Sequence, residues 1–92
     1  MIQTIAIHHV RDEHRADFLA FMRRVETAVA GADGLLDFTS WQDGLTGRLV
    51  GVGRWESPAA FEAAVPRIMS FSSERREEWV ERPDELLILS ET

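Results

Sequence analysis

The order of the periodic segments along these 92 residues constrains the fold more than any single motif does. Residues 2–10 are rich in β-branched side chains and have the length of a strand. A helical pattern, two extended segments, a second helical pattern and a last apolar run follow. The sequence therefore predicts an α+β protein with the element order βαββαβ, and its length suits one domain, residues 1–92.

Turn residues and helix caps set the predicted boundaries in the first half. The first helix opens at Asp12, whose side chain can cap it, and runs to about Gly31. The next two strands, 35–42 and 48–55, are separated by Asp43-Gly44, which favours a hairpin. Right-handed crossovers then give a ferredoxin-like fold, a four-stranded antiparallel sheet with both helices on one face.

Prolines mark the second half of the chain. Ser57 followed by Pro58 has the form of an N-cap and a first helical residue. Pro66 is expected to bend or restart this second helix, and the helical stripe is expected to continue until Pro83. Glu85–Ser90 then forms the last strand.

The first and last strands carry apolar residues on both faces. In the first strand Ile5 and Ile7 alternate with Ile2 and Ala6, and the last strand contains the run Leu86 to Leu89. Two helices can cover only one face of the sheet, and strands that are apolar on both sides are expected to be buried on both. We therefore expect a homodimer through the open sheet face, which would complete a dimeric α+β barrel.

Composition excludes several classes of function. The net charge of −6, with no basic cluster longer than a pair, argues against a nucleic-acid partner. The absence of cysteine and of a His-x-x-x-His pattern predicts no metal site. Apolar runs are too short for a membrane span, and no secretory signal is visible, so we expect a cytoplasmic protein.

The segment Gly-Arg-Trp-Glu-Ser-Pro-Ala-Ala-Phe, residues 53–61, carries a resemblance to a known family. It resembles the Trp-x-Ser-x-x-x-Phe segment that joins the third strand to the second helix in the antibiotic biosynthesis monooxygenase superfamily, whose members are dimeric α+β barrels. That superfamily includes quinone-forming and haem-degrading monooxygenases, isomerases and many proteins without assigned activity. The resemblance therefore implies the fold more strongly than the function.

The resemblance implies a pocket-lining role for Trp55, which matches the tryptophan at the end of the third strand. The haem-degrading branch pairs such a tryptophan with an asparagine on the first strand and an axial histidine on the second helix. This chain has no asparagine, and its histidines, His8, His9 and His14, precede or open the first helix. Haem degradation is therefore disfavoured, and we expect no cofactor.

His8 and His9 are the candidate general bases. Adjacent strand residues point to opposite faces, so at most one of them enters a given pocket. A neutral imidazole suits the removal of a proton from a phenol, the step that cofactor-independent oxygenation needs before the carbanion can reduce oxygen. The alternative is that each is a hydrogen-bonded structural histidine.

Large apolar side chains are the candidate substrate-binding residues. The indoles of Trp55 and Trp41 can hold a flat ring and donate one hydrogen bond each, although packing explains them equally well. Gly51 and Gly53 lie two apart, so both leave room on one face of their strand. The residues expected to bracket a cavity between helices and sheet, or to be simply core, are Phe18, Met22, Phe61, Ile68 and Met69.

Three hypotheses about function remain open at this point. The first is a monooxygenase that oxidises a small aromatic or polyketide-like compound with molecular oxygen and no cofactor, using His8, His9 and Trp55. The second is a non-catalytic dimeric module that binds a small apolar or aromatic ligand, which the missing asparagine and tyrosine favour. The third is an isomerase or cyclase of the same fold, which needs only acid–base groups.

Overall fold

Four antiparallel strands form one sheet in the computed structural model, which describes all residues from Met1 to Thr92. The strands are paired in the order β2-β3-β1-β4. The element bounds are β1 Ile2–His8, α1 Arg15–Val29, β2 Leu35–Gln42, β3 Leu49–Trp55, α2 Pro58–Met69 and β4 Glu85–Ser90. The predicted ferredoxin-like α+β fold is thereby confirmed.

The helix α1 supplies most of the core through the stripe that the sequence predicts. Its buried residues are Phe18, Phe21, Met22, Val25 and Val29. All of them except Val29 pack in one cluster with Leu49 of β3 and Val10, while Ala64 of α2 packs with Ile2 and Trp55. Both helices therefore cover the same face of the sheet, because Ile2, Leu49 and Trp55 share that face in the strand register.

The start of α2 confirms the predicted cap. The backbone N–H of Ala60 donates to Ser57 Oγ over 3.1 Å, and Pro58 occupies the first helical turn, where no intrahelical donor is required. Pro66 lies inside α2 and does not end it.

The expectation that the helical stripe continues to Pro83 is wrong. After Met69 the chain forms two short 3₁₀ turns, 72–74 and 77–79. Ser70 Oγ donates to the carbonyl of Arg67 over 2.6 Å, a local bond by which serine competes with helix continuation. Trp79 is then free to pack edge-on against Phe18 and Phe21 of α1, with ring centroids 6.0 and 6.3 Å away.

The first strand and first helix are shorter than predicted. β1 ends at His8, and Val10 makes only an isolated bridge to Val80. Residues 12–14 form a 3₁₀ turn, so α1 begins at Arg15. Asp12 makes no capping hydrogen bond, because its carboxylate accepts from Arg15 Nη2 over 3.0 Å instead.

The two glycines of β3 have different neighbours on the helix-facing side. A Cβ on Gly53 would lie 2.7 Å from both Thr4 Oγ1 and Trp55 Nε1. These two atoms are joined by a buried hydrogen bond of 3.1 Å, in which the indole donates. A Cβ on Gly51 would meet only ordinary contacts, 3.8 Å from Met22 Cε and 4.0 Å from His8 Nε2. Gly53 is thus required by packing, whereas Gly51 leaves open space.

The opposite face of the sheet is covered by neither helix. The register places Ile5 and Ile7 beside Val50 and Val52 on this open face, with Leu87 on the far side of β1. Only 15 of the 92 residues are buried, and none of these five is among them. The sheet is therefore apolar on both faces, as the strand sequences predict.

None of the helices combines the length and apolar character needed to span a bilayer.

The glycine pair gives a test of the packing. Gly53→Ala is expected to lower the free energy of unfolding by about 2 kcal/mol, because the methyl group must displace the Thr4–Trp55 pair. Gly51→Ala, the matched control, should change it by less than about 1 kcal/mol. Urea denaturation of the two variants measures both values, and equal losses would contradict the assignment.

Candidate functional site

A cavity of about 240 Å³ lies between the helices and the helix-facing side of the sheet. Gly51 and Ala6 lie on its sheet side, and its walls are mostly apolar. The wall residues are Phe21, Met22, Val25, Phe38, Ile68 and Met69, and the polar residues are His8, Ser40, Ser72, Arg75 and Asp84. A mostly apolar cavity with a few polar groups is typical of a small-molecule site.

His8 enters this cavity from the end of β1. Its ring packs at a tilt against Phe18, with the centroids 4.8 Å apart. The side chain is 12% exposed, and Nδ1 lies 3.0 Å from Asp84 Oδ1, off the line of a regular hydrogen bond. Nε2 lies close to Gly51, 4.0 Å from a Cβ built on that residue.

Asp84 is held in place by Arg75. Arg75 Nη2 donates to Asp84 Oδ1 over 2.7 Å, and Nη1 donates to Oδ2, so the pair is bidentate. The guanidinium also lies over the Phe18 ring, 5.1 Å from its centroid. Burial alone would raise the pKa of the Asp84 carboxyl group, but Arg75 and His8 outweigh it and hold that pKa far below its usual range.

An ionised Asp84 determines what His8 can do. The carboxylate favours the tautomer of neutral His8 that carries its proton on Nδ1. Nε2 then has a free lone pair directed over Gly51 into the cavity. The arrangement can therefore remove a proton from a bound molecule, with Asp84 stabilising the imidazolium that forms.

Ser40 of β2 forms a second polar point on the cavity wall. Its Oγ donates to the carboxylate of Glu26 on α1, and both side chains are half-buried. Ser40 pairs with Gly51 across the β2–β3 ladder, and Gly51 pairs with Ala6 of β1. Ser40 and His8 therefore flank the space above Gly51 from opposite sides.

His9 lies outside the cavity. It is buried, and its Nε2 lies 2.7 Å from Glu85 Oε2 at the start of β4. The predicted divergence of the adjacent histidines is therefore present, and it is His8 that faces the cavity.

Trp55 does not reach the cavity either. Its side chain is fully buried between β1 and α2, its ring packs 5.5 Å from Phe61, and its only donor is used by Thr4. Trp41 lies on the open face, 61% exposed, with its Nε1 donating to Thr39 over 2.8 Å. Neither indole is thus available to a molecule in this cavity.

The structure divides the remaining predicted substrate-binding residues. Met22, Ile68 and Met69 line the cavity. Phe18 lies behind His8 and Arg75 rather than on the wall, and Phe61 packs against Trp55.

Four residues of the site, Asp84, Arg75, Ser40 and Glu26, are not predicted from the sequence. The signal for Asp84 is the strand register: Glu85 pairs with Ile7 in the antiparallel β1–β4 ladder, so the preceding residue lies beside His8. Arg75 lies in the stretch after Met69, where the sequence predicts a continued helix and the structure has two 3₁₀ turns. The Ser40–Glu26 contact joins two elements and has no local sequence pattern.

No three histidine or carboxylate side chains come together in an arrangement able to hold a metal ion. His8 and His9 instead contact different carboxylates.

Neither models of protein families nor curated proteins match this sequence. Solved structures do match over nearly the whole chain. Rv0793 from Mycobacterium tuberculosis has 20% identity and a TM-score of 0.84, covering 99% of this chain and 94% of its own. An antibiotic biosynthesis monooxygenase has 15% identity and a TM-score of 0.82, covering 100% and 99%.

A variant of MhuD, with two manganese protoporphyrin IX molecules bound per active site, is also similar. It has 22% identity and a TM-score of 0.79, covering 98% of this chain and 93% of its own. At these identities the similarity establishes the fold. The chain has the fold of the antibiotic biosynthesis monooxygenase proteins, as the resemblance of residues 53–61 implies.

The depressed pKa of Asp84 gives a pH-dependent prediction. Because this carboxyl group has a lower pKa in the folded than in the unfolded chain, its stabilising contribution is complete above the unfolded value of about 3.9 and is lost as the pH falls through the folded value. Asp84→Asn should therefore reduce the free energy of unfolding at pH 7, on the order of 1 kcal/mol, and the difference from wild type should shrink in acid.

Denaturation of both proteins between pH 7 and pH 2.5 measures this difference. Asp33→Asn is the matched control, because Asp33 is exposed and forms no ion pair. A difference between wild type and Asp84→Asn that stays constant with pH would show that Asp84 is not ionised in the way we describe.

Proposed function

We propose that this protein is a cofactor-independent monooxygenase that acts on a small aromatic or polyketide-like compound, with His8 as the general base. The observation that carries the proposal is that Nε2 of His8 faces a largely apolar cavity, while its Nδ1 lies against an ionised carboxylate. The fold shared with an antibiotic biosynthesis monooxygenase supports it.

The proposed reaction starts with proton removal. Nε2 of His8 takes a proton from an acidic phenol or from an activated CH₂ group, and Asp84 stabilises the resulting imidazolium. The electron-rich anion then reduces dioxygen. For a CH₂ group the overall change is CH₂ + O₂ → C=O + H₂O, so one oxygen atom enters the product and the other leaves as water. Four electrons pass from carbon to oxygen, and no further reductant is needed.

The cavity volume supports a small substrate. At about 240 Å³ it falls below the roughly 300–1,000 Å³ of pockets that hold drug-sized ligands. One or two fused aromatic rings match this size better than the protoporphyrin of the MhuD structure. The apolar walls from Phe21, Val25 and Phe38 would contact the ring faces and exclude water from the anion.

An isomerase is the second candidate, and one observation favours it. His8 and Asp84 are sufficient for moving a proton between two positions of a substrate, and this step needs no oxygen. Turnover under strictly anaerobic conditions, with a product of unchanged mass, would favour the isomerase over the monooxygenase.

The protein is also proposed to be a homodimer through the open sheet face. This face places Ile5, Ile7, Val50, Val52 and Leu87 side by side with no helix over them. A second copy offers the same apolar surface, so a two-fold arrangement would bury both copies at once. The small buried fraction of the single chain favours such a partner, since a domain of this size buries little core alone. The expected cytoplasmic location stays a prediction.

Substitution of His8 tests the catalytic role. His8→Ala should lower kcat for the oxidation of a hydroxynaphthalene by about 100-fold or more, because the base is lost. His9→Ala is the matched control and should stay within about threefold, since His9 lies outside the cavity. Oxygen consumption measures the rate, and labelled dioxygen should place one label in the product carbonyl. Full activity of His8→Ala would contradict the proposal.

Substitution of Val52 tests the dimer. Val52→Glu should convert the protein from a dimer, with twice the 10.5 kDa mass of the chain, to a monomer. The reason is that a charge at the centre of the open face cannot be buried unpaired. Leu45→Glu is the control, since Leu45 is 97% exposed in the β2–β3 connection. Sedimentation equilibrium gives both masses. A monomeric wild-type protein, or a dimeric Val52→Glu variant, would overturn the assignment.

A further inference from the structure

The hydroxyl of Ser40 has already used its only proton. A serine hydroxyl carries one donor and two acceptor lone pairs, and Ser40 Oγ donates to the Glu26 carboxylate. Ser40 can therefore only accept a further hydrogen bond, and it lies on the cavity wall.

His8 presents the same polarity from the other side. With the Asp84 carboxylate beside Nδ1, the proton of the neutral ring belongs on that nitrogen, and Nε2 is an acceptor. Arg75, the strongest nearby donor, directs both of its terminal nitrogens at Asp84.

These two acceptors face each other across one strand. Ser40 of β2 pairs with Gly51, and His8 Nε2 points over that same glycine from β1. Neighbouring strands lie about 5 Å apart, so the two acceptors lie on either side of one glycine, within reach of two polar substituents on one aromatic ring system.

Resting on the proposed function, we propose that the substrate is an aromatic compound with two hydrogen-bond donors at opposite ends, such as a dihydroxy compound. One hydroxyl group donates to His8 Nε2 and is the proton that the base removes. The other donates to Ser40 Oγ. Glu26 and Ser40 are then the specificity-determining pair, and they act through the direction of one hydrogen bond.

This assignment predicts discrimination against methyl ethers. A methoxy group has no proton to donate. Its oxygen and Ser40 Oγ would therefore be two acceptors facing each other, with no hydrogen bond between them. In the wild-type protein 2,6-dihydroxynaphthalene should bind about tenfold more tightly than 6-methoxy-2-naphthol, and 2,6-dimethoxynaphthalene should bind most weakly. Hydroquinone and its two methyl ethers test the same order over a shorter span.

Three variants distinguish the direction of the hydrogen bond at Ser40 from its mere presence. Ser40→Ala should remove the preference between the dihydroxy and monomethoxy compounds, while Ser40→Thr, which keeps a hydroxyl group, should retain it. Glu26→Gln should reduce the preference severalfold, because the amide can donate to Ser40 Oγ and free the serine proton for a methoxy oxygen. Thr39→Val is the matched control, since Thr39 faces the other side of β2.

Isothermal titration calorimetry measures these affinities without requiring turnover, and thermal unfolding confirms that each variant is folded. Equal affinity of the wild-type protein for the dihydroxy and methoxy compounds, or no binding of any member, would overturn the inference. A preserved preference in Ser40→Ala would also overturn it. A clear hydroxyl preference without oxygen consumption would support this specificity and contradict the monooxygenase, so the two failures are distinguishable.

Discussion

The bidentate pairing of Arg75 with Asp84 is the contact on which the site depends. It holds the segment after α2 against the start of β4, at the point where β1 ends with His8. Burial raises the pKa of this half-buried carboxyl group, and the hydrogen bonds from Arg75 are the largest of the contacts that lower it and keep the group charged. Because it is charged, it selects the His8 tautomer that leaves Nε2 free. One ion pair thus connects the packing of an irregular segment with the chemistry of the cavity.

The absence of side chains at two positions of β3 has separate consequences. Gly53 admits the Thr4–Trp55 hydrogen bond into the core, and Gly51 leaves the space over which His8 Nε2 and Ser40 meet. The helix-facing side of one strand therefore serves packing at one end and binding at the other. The opposite side of the same strand carries Val50 and Val52, and it remains for the proposed dimer contact.

The fold could be predicted from the sequence because its determinants are local. The spacing of apolar residues defines α1, and Ser57-Pro58 defines the start of α2. The site could be predicted only in part, since His8, Met22, Ile68 and Met69 line the cavity but their polar partners come from distant segments. Asp84 lies 76 positions after His8, and Arg75 follows a helix end at which Ser70 Oγ donates to the carbonyl of Arg67. Contacts of this kind depend on strand register and loop path, which periodicity does not encode.

The Trp-x-Ser-x-x-x-Phe segment illustrates why resemblance and mechanism have to be argued separately. In this chain Trp55 is buried against Thr4, Ser57 caps α2, and Phe61 packs on Trp55. Each residue of the pattern therefore has a structural task in joining β3 to α2, which explains why the segment identifies the fold. None of them lines the cavity where His8 lies. A pattern that specifies the scaffold can persist while the reacting groups change, so the function of this chain has to be inferred from His8, Asp84 and Ser40.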